Sequence, residues 1–164
     1  MSTGRKVLLI GGLVLALLGM LYGLHYAVFV EHQTLDRMGG SLAQAFVHAA
    51  ERNAAEAHNA LNSYAATKYD YVRQVDIHSH WIGLAMLLMV LGVVFDGVAF
   101  NERARIWIAV ALVTGSFVFP LGVILQTVSR GGNFASALAI VGSATVTIAL
   151  GAVVWGFARS ANSS

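Results

Sequence analysis

The 164-residue chain has no cysteine, one proline, and only 11% charged residues. The lack of cysteine excludes disulfides, thiolate metal sites, iron–sulfur clusters and the Cys-x-x-Cys-His attachment of c-type haem. A soluble domain usually carries about 25% charged residues. Here there are too few to cover a water-facing surface, and 57% of residues are hydrophobic. Ten Lys and Arg against eight Asp and Glu give a net charge of +2. No basic cluster or aromatic-basic module accompanies them, so nucleic acid is not an indicated partner. A Ser–His–Asp grouping, a P-loop and a dinucleotide fingerprint are all missing, which leaves hydrolytic and nucleotide-driven functions without support.

What is present is four long apolar runs: Val7–Val30, Trp81–Phe100, Ile106–Val128 and Phe134–Phe157. About 20 apolar residues, at 1.5 Å each, cross the hydrocarbon of a bilayer. The first run follows Arg5 and Lys6 but exceeds the roughly 7–15 apolar residues of a signal peptide, and no small-x-small cleavage site follows it. It reads as an uncleaved anchor. Asn101–Arg105 and Ser129–Asn133 are the tight turns between spans two and three and between three and four. The expected fold class is all-α: an integral membrane four-helix bundle, residues 1–164, with a long amphipathic outer helix in the extramembrane segment 31–79.

Lys and Arg near span ends set direction. Arg5, Lys6, Arg103, Arg105 and Arg159 share one side, against Arg130 in the other short turn. Both termini are therefore expected in the cytoplasm and residues 31–79 outside. Trp81, Trp107 and Trp155 lie near span ends, as interfacial anchors do.

Met38–Gly39–Gly40–Ser41 reads as a break followed by an N-cap. From Leu42 to about Val75 there is no Gly or Pro, and apolar residues recur at helical intervals. One long helix is expected, free to run straight into span two. Within the bilayer, Ala135, Ala139, Ser143, Thr147 and Gly151 form a small-residue stripe suited to close helix approach, as do Gly12, Gly19 and Gly23 in span one. Pro120 removes a backbone bond from span three.

All six histidines (His25, His32, His48, His58, His78 and His80) fall in the first half of the chain, toward the outer side of this topology. His25 is roughly 8 Å deep in span one by helix rise. An ionisable group there marks a functional position. His78 and His80 open span two, two residues and thus about 200° apart, so one turns toward span one and the other away. A histidine on each of two adjacent helices supplies the axial ligands of a b-type haem. His25 with His80, or with His78 as second choice, is the candidate pair, and Asp76 is the candidate outer acceptor fixing a tautomer. On a single outer helix, His48, Glu51, Ala55 and His58 fall on one face, and imidazole with carboxylate suits copper, zinc or iron. The competing reading is a solvated polar face. Asp96 is expected to pair with Arg103 or Arg105.

The stretch His78-Ser-His80-Trp-Ile-Gly-Leu-Ala-Met resembles that of a group of small uncharacterised bacterial membrane proteins. Their second span opens on His-x-His, and their third ends near Gly-x-x-Leu-Gln, here Gly122-Val-Ile-Leu-Gln126. More distantly, residues 76–157 are similar to the histidine-bearing helices of haem-copper oxidase and nitric oxide reductase subunits. The resemblance implies a bacterial inner-membrane protein. Some members of the group carry a histidine in the last span, where this chain has Gly142-Ser-Ala.

Two functions follow as expectations. One is a small subunit binding haem b, or a copper, zinc or iron ion, on the outer side for electron transfer. The other is a non-enzymatic structural or assembly subunit whose outer helix docks a membrane-complex partner or a second copy. A transporter is less indicated, because the spans carry almost no charge at mid-depth.

Overall fold

The computed structural model describes residues 1–129 and 132–161. They form α1 (Thr3–Phe29), α2 (Glu31–Ala50), α3 (Ala54–Val94), a 3-10 turn (Phe95–Gly97), α4 (Glu102–Ser129) and α5 (Asn133–Ala161). The segments Thr3–Phe29, Ala54–Gly97, Glu102–Val128 and Asn133–Ala161 are long and apolar enough to cross a membrane. The protein is an all-α integral membrane four-helix bundle. Arg130 and Gly131, in the turn expected between spans three and four, lie outside the described residues.

The chain divides into two compact units. The first, Met1–Met20 with Ile77–Ser164, contains the bundle. In it, α4 and α5 approach closely because their facing residues are small. A Cβ added at Gly142 would sit 2.5 Å from the Phe119 nitrogen, and one at Gly115 would sit 3.0 Å from the Gly142 carbonyl. The buried residues of α5 are Ala135, Ala139, Gly142, Val146, Ala149, Val153 and Gly156. Their spacing alternates four and three, the rhythm of helices that wrap around one another. The small-residue stripe expected at every fourth position is therefore corrected beyond Ala139. Each i+4 step drifts 40° round the helix, and Thr147 and Gly151 end up exposed. Span one meets its neighbours in the same way: added Cβ atoms would lie 3.0 Å from the Ala85 carbonyl oxygen at Gly12 and 3.0 Å from the Trp81 Cβ at Gly19.

Helix ends in this unit are satisfied by side chains. The Ala104 N–H donates to Asn101 Oδ1 at 2.8 Å, capping α4. The Thr3 N–H donates to Glu102 Oε1 at 2.8 Å, joining the starts of α1 and α4. Asp96 pairs with Arg5 at 3.3 Å, not with Arg103 or Arg105 as expected. The 3-10 turn delivers its carboxylate to the start of α1, while Arg105 Nε donates to the Phe100 carbonyl at 2.9 Å.

The second unit, Leu21–Asp76, holds the end of α1, all of α2 and the first part of α3, to Asp76. It begins ten residues before the expected extramembrane segment. Val30 separates α1 from α2, yet helical bonding continues around it: Val30 N–H to the Tyr26 carbonyl at 2.9 Å and Thr34 N–H to that of Val30 at 3.1 Å. The break expected at 38–41 is absent, and α2 runs through Gly39 and Gly40. Its actual end is a C-cap in which Arg52 takes the left-handed conformation, φ 57°. The Asn53 N–H donates to the His48 carbonyl and the Arg52 N–H to that of Ala49, the paired bonds of a Schellman ending. Asn53 then caps α3, accepting the Glu56 N–H at 3.3 Å. The outer segment is thus two helices. The second does continue into span two without interruption, as expected. It has 41 residues, about twice the 20 or so that cross the hydrocarbon of a bilayer.

α2 and the first part of α3 share a seam. On α2 the residues that are not exposed are Glu31, Thr34, Met38, Ser41, Ala45 and His48. On α3 the matching series is Ala57, Ala60, Tyr64, Thr67, Tyr71 and Gln74. Both alternate three and four, and Ala45 and Ala60 are buried. Ala49 of α2 lines the same hollow as Ala57, His58 and Leu61 of α3. Toward the base of the unit the Tyr22 hydroxyl bonds Gln74, and the Tyr26 and Tyr71 rings lie 6.4 Å apart.

Candidate functional site

The histidines are placed by three different helices, and their surroundings differ. His78 occupies the packed side of α3, and its Nδ1 lies 2.9 Å from the Gly19 carbonyl on α1. A carbonyl only accepts, so Nδ1 carries a proton and donates it. The acceptor that fixes the tautomer is this carbonyl, rather than Asp76 as expected. His80, two residues on, turns to α4 and rests against Phe119 with ring centroids 4.6 Å apart. The preference given to His80 as the histidine facing span one is therefore reversed: His78 reaches α1.

His25 is exposed, and its ring packs on Phe29 of its own helix at 5.5 Å. It is outside the buried line of α1, which includes Leu15, Gly19 and Tyr26. His25 belongs to the unit Leu21–Asp76, whereas His78 and His80 belong to the unit Met1–Met20 with Ile77–Ser164.

His48 Nδ1 lies 3.3 Å from Glu51 Oε2. His58 does not join them, because the premise of one continuous helix fails: the chain turns at Arg52, and His58 lies on the next helix, lining the hollow with Ala49 and Arg52. Among the described residues, no group of three or more His, Cys, Asp or Glu side chains is arranged to hold a metal ion. His32 pairs with Asp36 one turn on, at 3.4 Å, on an exposed surface.

Two features escape a reading of residue types alone. Ser116 is fully buried on α4, one turn before Pro120, and its hydroxyl makes no hydrogen bond. Leu35, Leu42 and Phe46 of α2 and Leu61, Val72 and Val75 of α3 are 36–69% exposed. The signal for the second feature lay in their three-and-four spacing, which shadows the seam by one residue. No family model, curated protein or solved structure matches the chain.

Proposed function

We propose that this protein is a non-enzymatic structural or assembly subunit of a membrane complex, anchored by its four spans and engaging its partner through the α2–α3 pair. The observation that carries this reading is the outer pair itself. It is a helical hairpin closed around its own seam that still leaves eight large apolar side chains exposed, six of them one residue past the seam. Exposed apolar area beyond a few hundred Å² marks interaction surfaces on soluble segments. The separation of His25 from the packed side of α1, and of His58 from His48 and Glu51, weighs against a cofactor as the working part. In this reading the chain resides in a bacterial inner membrane with both termini cytoplasmic and the hairpin outside, following the Lys and Arg distribution.

One observation favours electron transfer as a second reading. The Gly19 carbonyl accepts from His78 Nδ1, which leaves Nε2 as the nitrogen through which a neutral imidazole would bind haem b iron, or copper, zinc or iron ions. The full chain, purified from membranes in mild detergent, separates the two. An assembly subunit gives no Soret band, holds no stoichiometric metal, and migrates on a native gel well above its own mass. A Soret band or bound metal lost in His78→Ala would replace this proposal with the electron-transfer reading.

A further inference from the structure

Six of the eight large exposed apolar residues of the α2–α3 hairpin lie on one side of it; Val47 and Tyr69 do not. Leu35, Leu42 and Phe46 each follow a seam residue of α2 (Thr34, Ser41, Ala45), and Leu61, Val72 and Val75 each follow one of α3 (Ala60, Tyr71, Gln74). One residue on is 100° round a helix. Because α2 and α3 run in opposite directions, an offset of the same sign turns both stripes to the same side of the pair. Ala49 and Leu61, one residue past His48 and Ala60, accordingly line a common hollow. The residues one before the seam fall on the opposite side. They include Gln33, Arg37 and Gln44 on α2 and Glu56, Asp70 and Arg73 on α3, with Val47 the one large apolar side chain among them.

We propose that this apolar side docks on the same side of a second copy of the chain, so that two hairpins close a four-helix bundle outside the membrane. The inference rests on the assembly-subunit reading and names its partner. Four observations argue for a second copy. First, copies inserted the same way in one membrane are related by a two-fold axis along its normal. That axis sets each α2 beside the partner's α3 and gives the up-down-up-down order of stable bundles. Second, with Gly39 and Ala49 on α2 and Ala65 and Lys68 on α3 included, the stripes keep the alternating three-and-four spacing that helices use against helices. Third, the six side chains expose on the order of 500 Å² per copy, which with their alanine and glycine neighbours approaches the roughly 800 Å² per partner of a stable interface. Gly39 lies within the stripe with nothing within 4 Å of a built Cβ, leaving room for a partner helix. Fourth, the charges of the opposite side balance, Arg37 and Arg73 against Glu56 and Asp70. A helix pair lying on anionic lipid would instead carry an excess of Lys and Arg.

The absence of cysteine makes the test direct. Two differently tagged full-length chains, one Phe46→Cys and the other Leu61→Cys, are co-expressed and oxidised in native membranes. A second pair, Gln44→Cys with Ser63→Cys, probes the polar side. The apolar pair should give a band carrying both tags, and the polar pair should not. Leu42→Asp with Phe46→Asp should abolish the band and raise the dimer dissociation constant at least about a hundredfold, since each dimer loses four buried apolar side chains. Unchanged helical content of that variant by circular dichroism shows that the hairpin still folds. Equal crosslinking from the two sides, or a wild-type chain that is monomeric by native mass spectrometry, overturns the proposal. If the wild type then still migrates in a larger complex that the Asp variant leaves, self-association has failed while the assembly-subunit reading stands. If it migrates alone, both have failed.

Discussion

Replacement of Gly142 by alanine tests the packing of the bundle at its tightest seam. A methyl group there would sit 2.5 Å from the nitrogen and 2.7 Å from the Cα of Phe119. Carbon contacts prefer about 3.5–4.0 Å, so α4 and α5 must separate by about 1 Å. The obstacle is backbone, which no change of rotamer relieves. Overpacking of this kind typically costs about 1–3 kcal/mol. Alanine also favours the helix over glycine by up to about 1 kcal/mol, which partly offsets the clash. Gly151→Ala supplies the reference: it lies on the same helix, nothing is within 4 Å of its built Cβ, and it receives the propensity gain alone. The difference between the two variants is then the packing cost, about 1–3 kcal/mol. For a chain of this length that corresponds to about 2–12 °C in Tm. Thermal unfolding in mild detergent, followed by far-ultraviolet circular dichroism, reads it. Equal midpoints for the two variants would mean that α5 does not meet α4 at Gly142.

Ser143→Leu, one residue along, should leave the midpoint within about 0.5 kcal/mol of wild type, as surface substitutions usually do; its hydroxyl bonds only the Ile140 carbonyl of its own helix. Arg52→Gly should stabilise the outer hairpin by about 0.5–1 kcal/mol, because glycine takes the left-handed conformation without the Cβ penalty, and slower hydrogen exchange in α2 and outer α3 would register it. Asn53→Ala should destabilise the hairpin by about 1 kcal/mol through loss of the cap to the Glu56 N–H, with faster exchange at the start of α3; an unchanged rate would show that the cap contributes nothing. A reporter inserted between Asn101 and Arg105 should read cytoplasmic and one at Asn53 external, and the opposite result would invert the assigned orientation.

The spans were legible in the sequence because crossing a bilayer demands length and apolarity, and both are additive along the chain. The uninterrupted run from the outer segment into span two was legible for a similar reason: no residue between Ala54 and Trp81 breaks a helix. The turn at Arg52 is less legible, because a Gly-Gly pair is a stronger sign of a helix break than an arginine is. Gly39 and Gly40 cost their helix some stability but remain within it, while the chain turns at an arginine, a residue that seldom takes a left-handed conformation. The readable sign was Asn53-Ala-Ala-Glu56, a capping residue followed three positions later by glutamate. That misplaced turn also explains the supposed His48–Glu51–His58 face, which needed one continuous helix. In α5 small residues recur at every fourth position of the sequence, but the helix packs on an alternation of four and three. His78 and His80 could be separated by angle from sequence alone; which one meets Gly19 depends on how α3 is rotated, a property of the packed bundle.

The tip at Arg52 has a consequence for how such a hairpin changes length in evolution. Both arms repeat their seam every seven residues, and seven residues turn a helix by 700°, within 20° of full rotations. Insertions of seven on each side of the tip would lengthen both arms while leaving every older side chain facing as before. Three or four residues added to one arm alone would displace that arm's register against the other. Lengths of related hairpins should therefore step in fourteens, and loop tips are where chains best tolerate such additions.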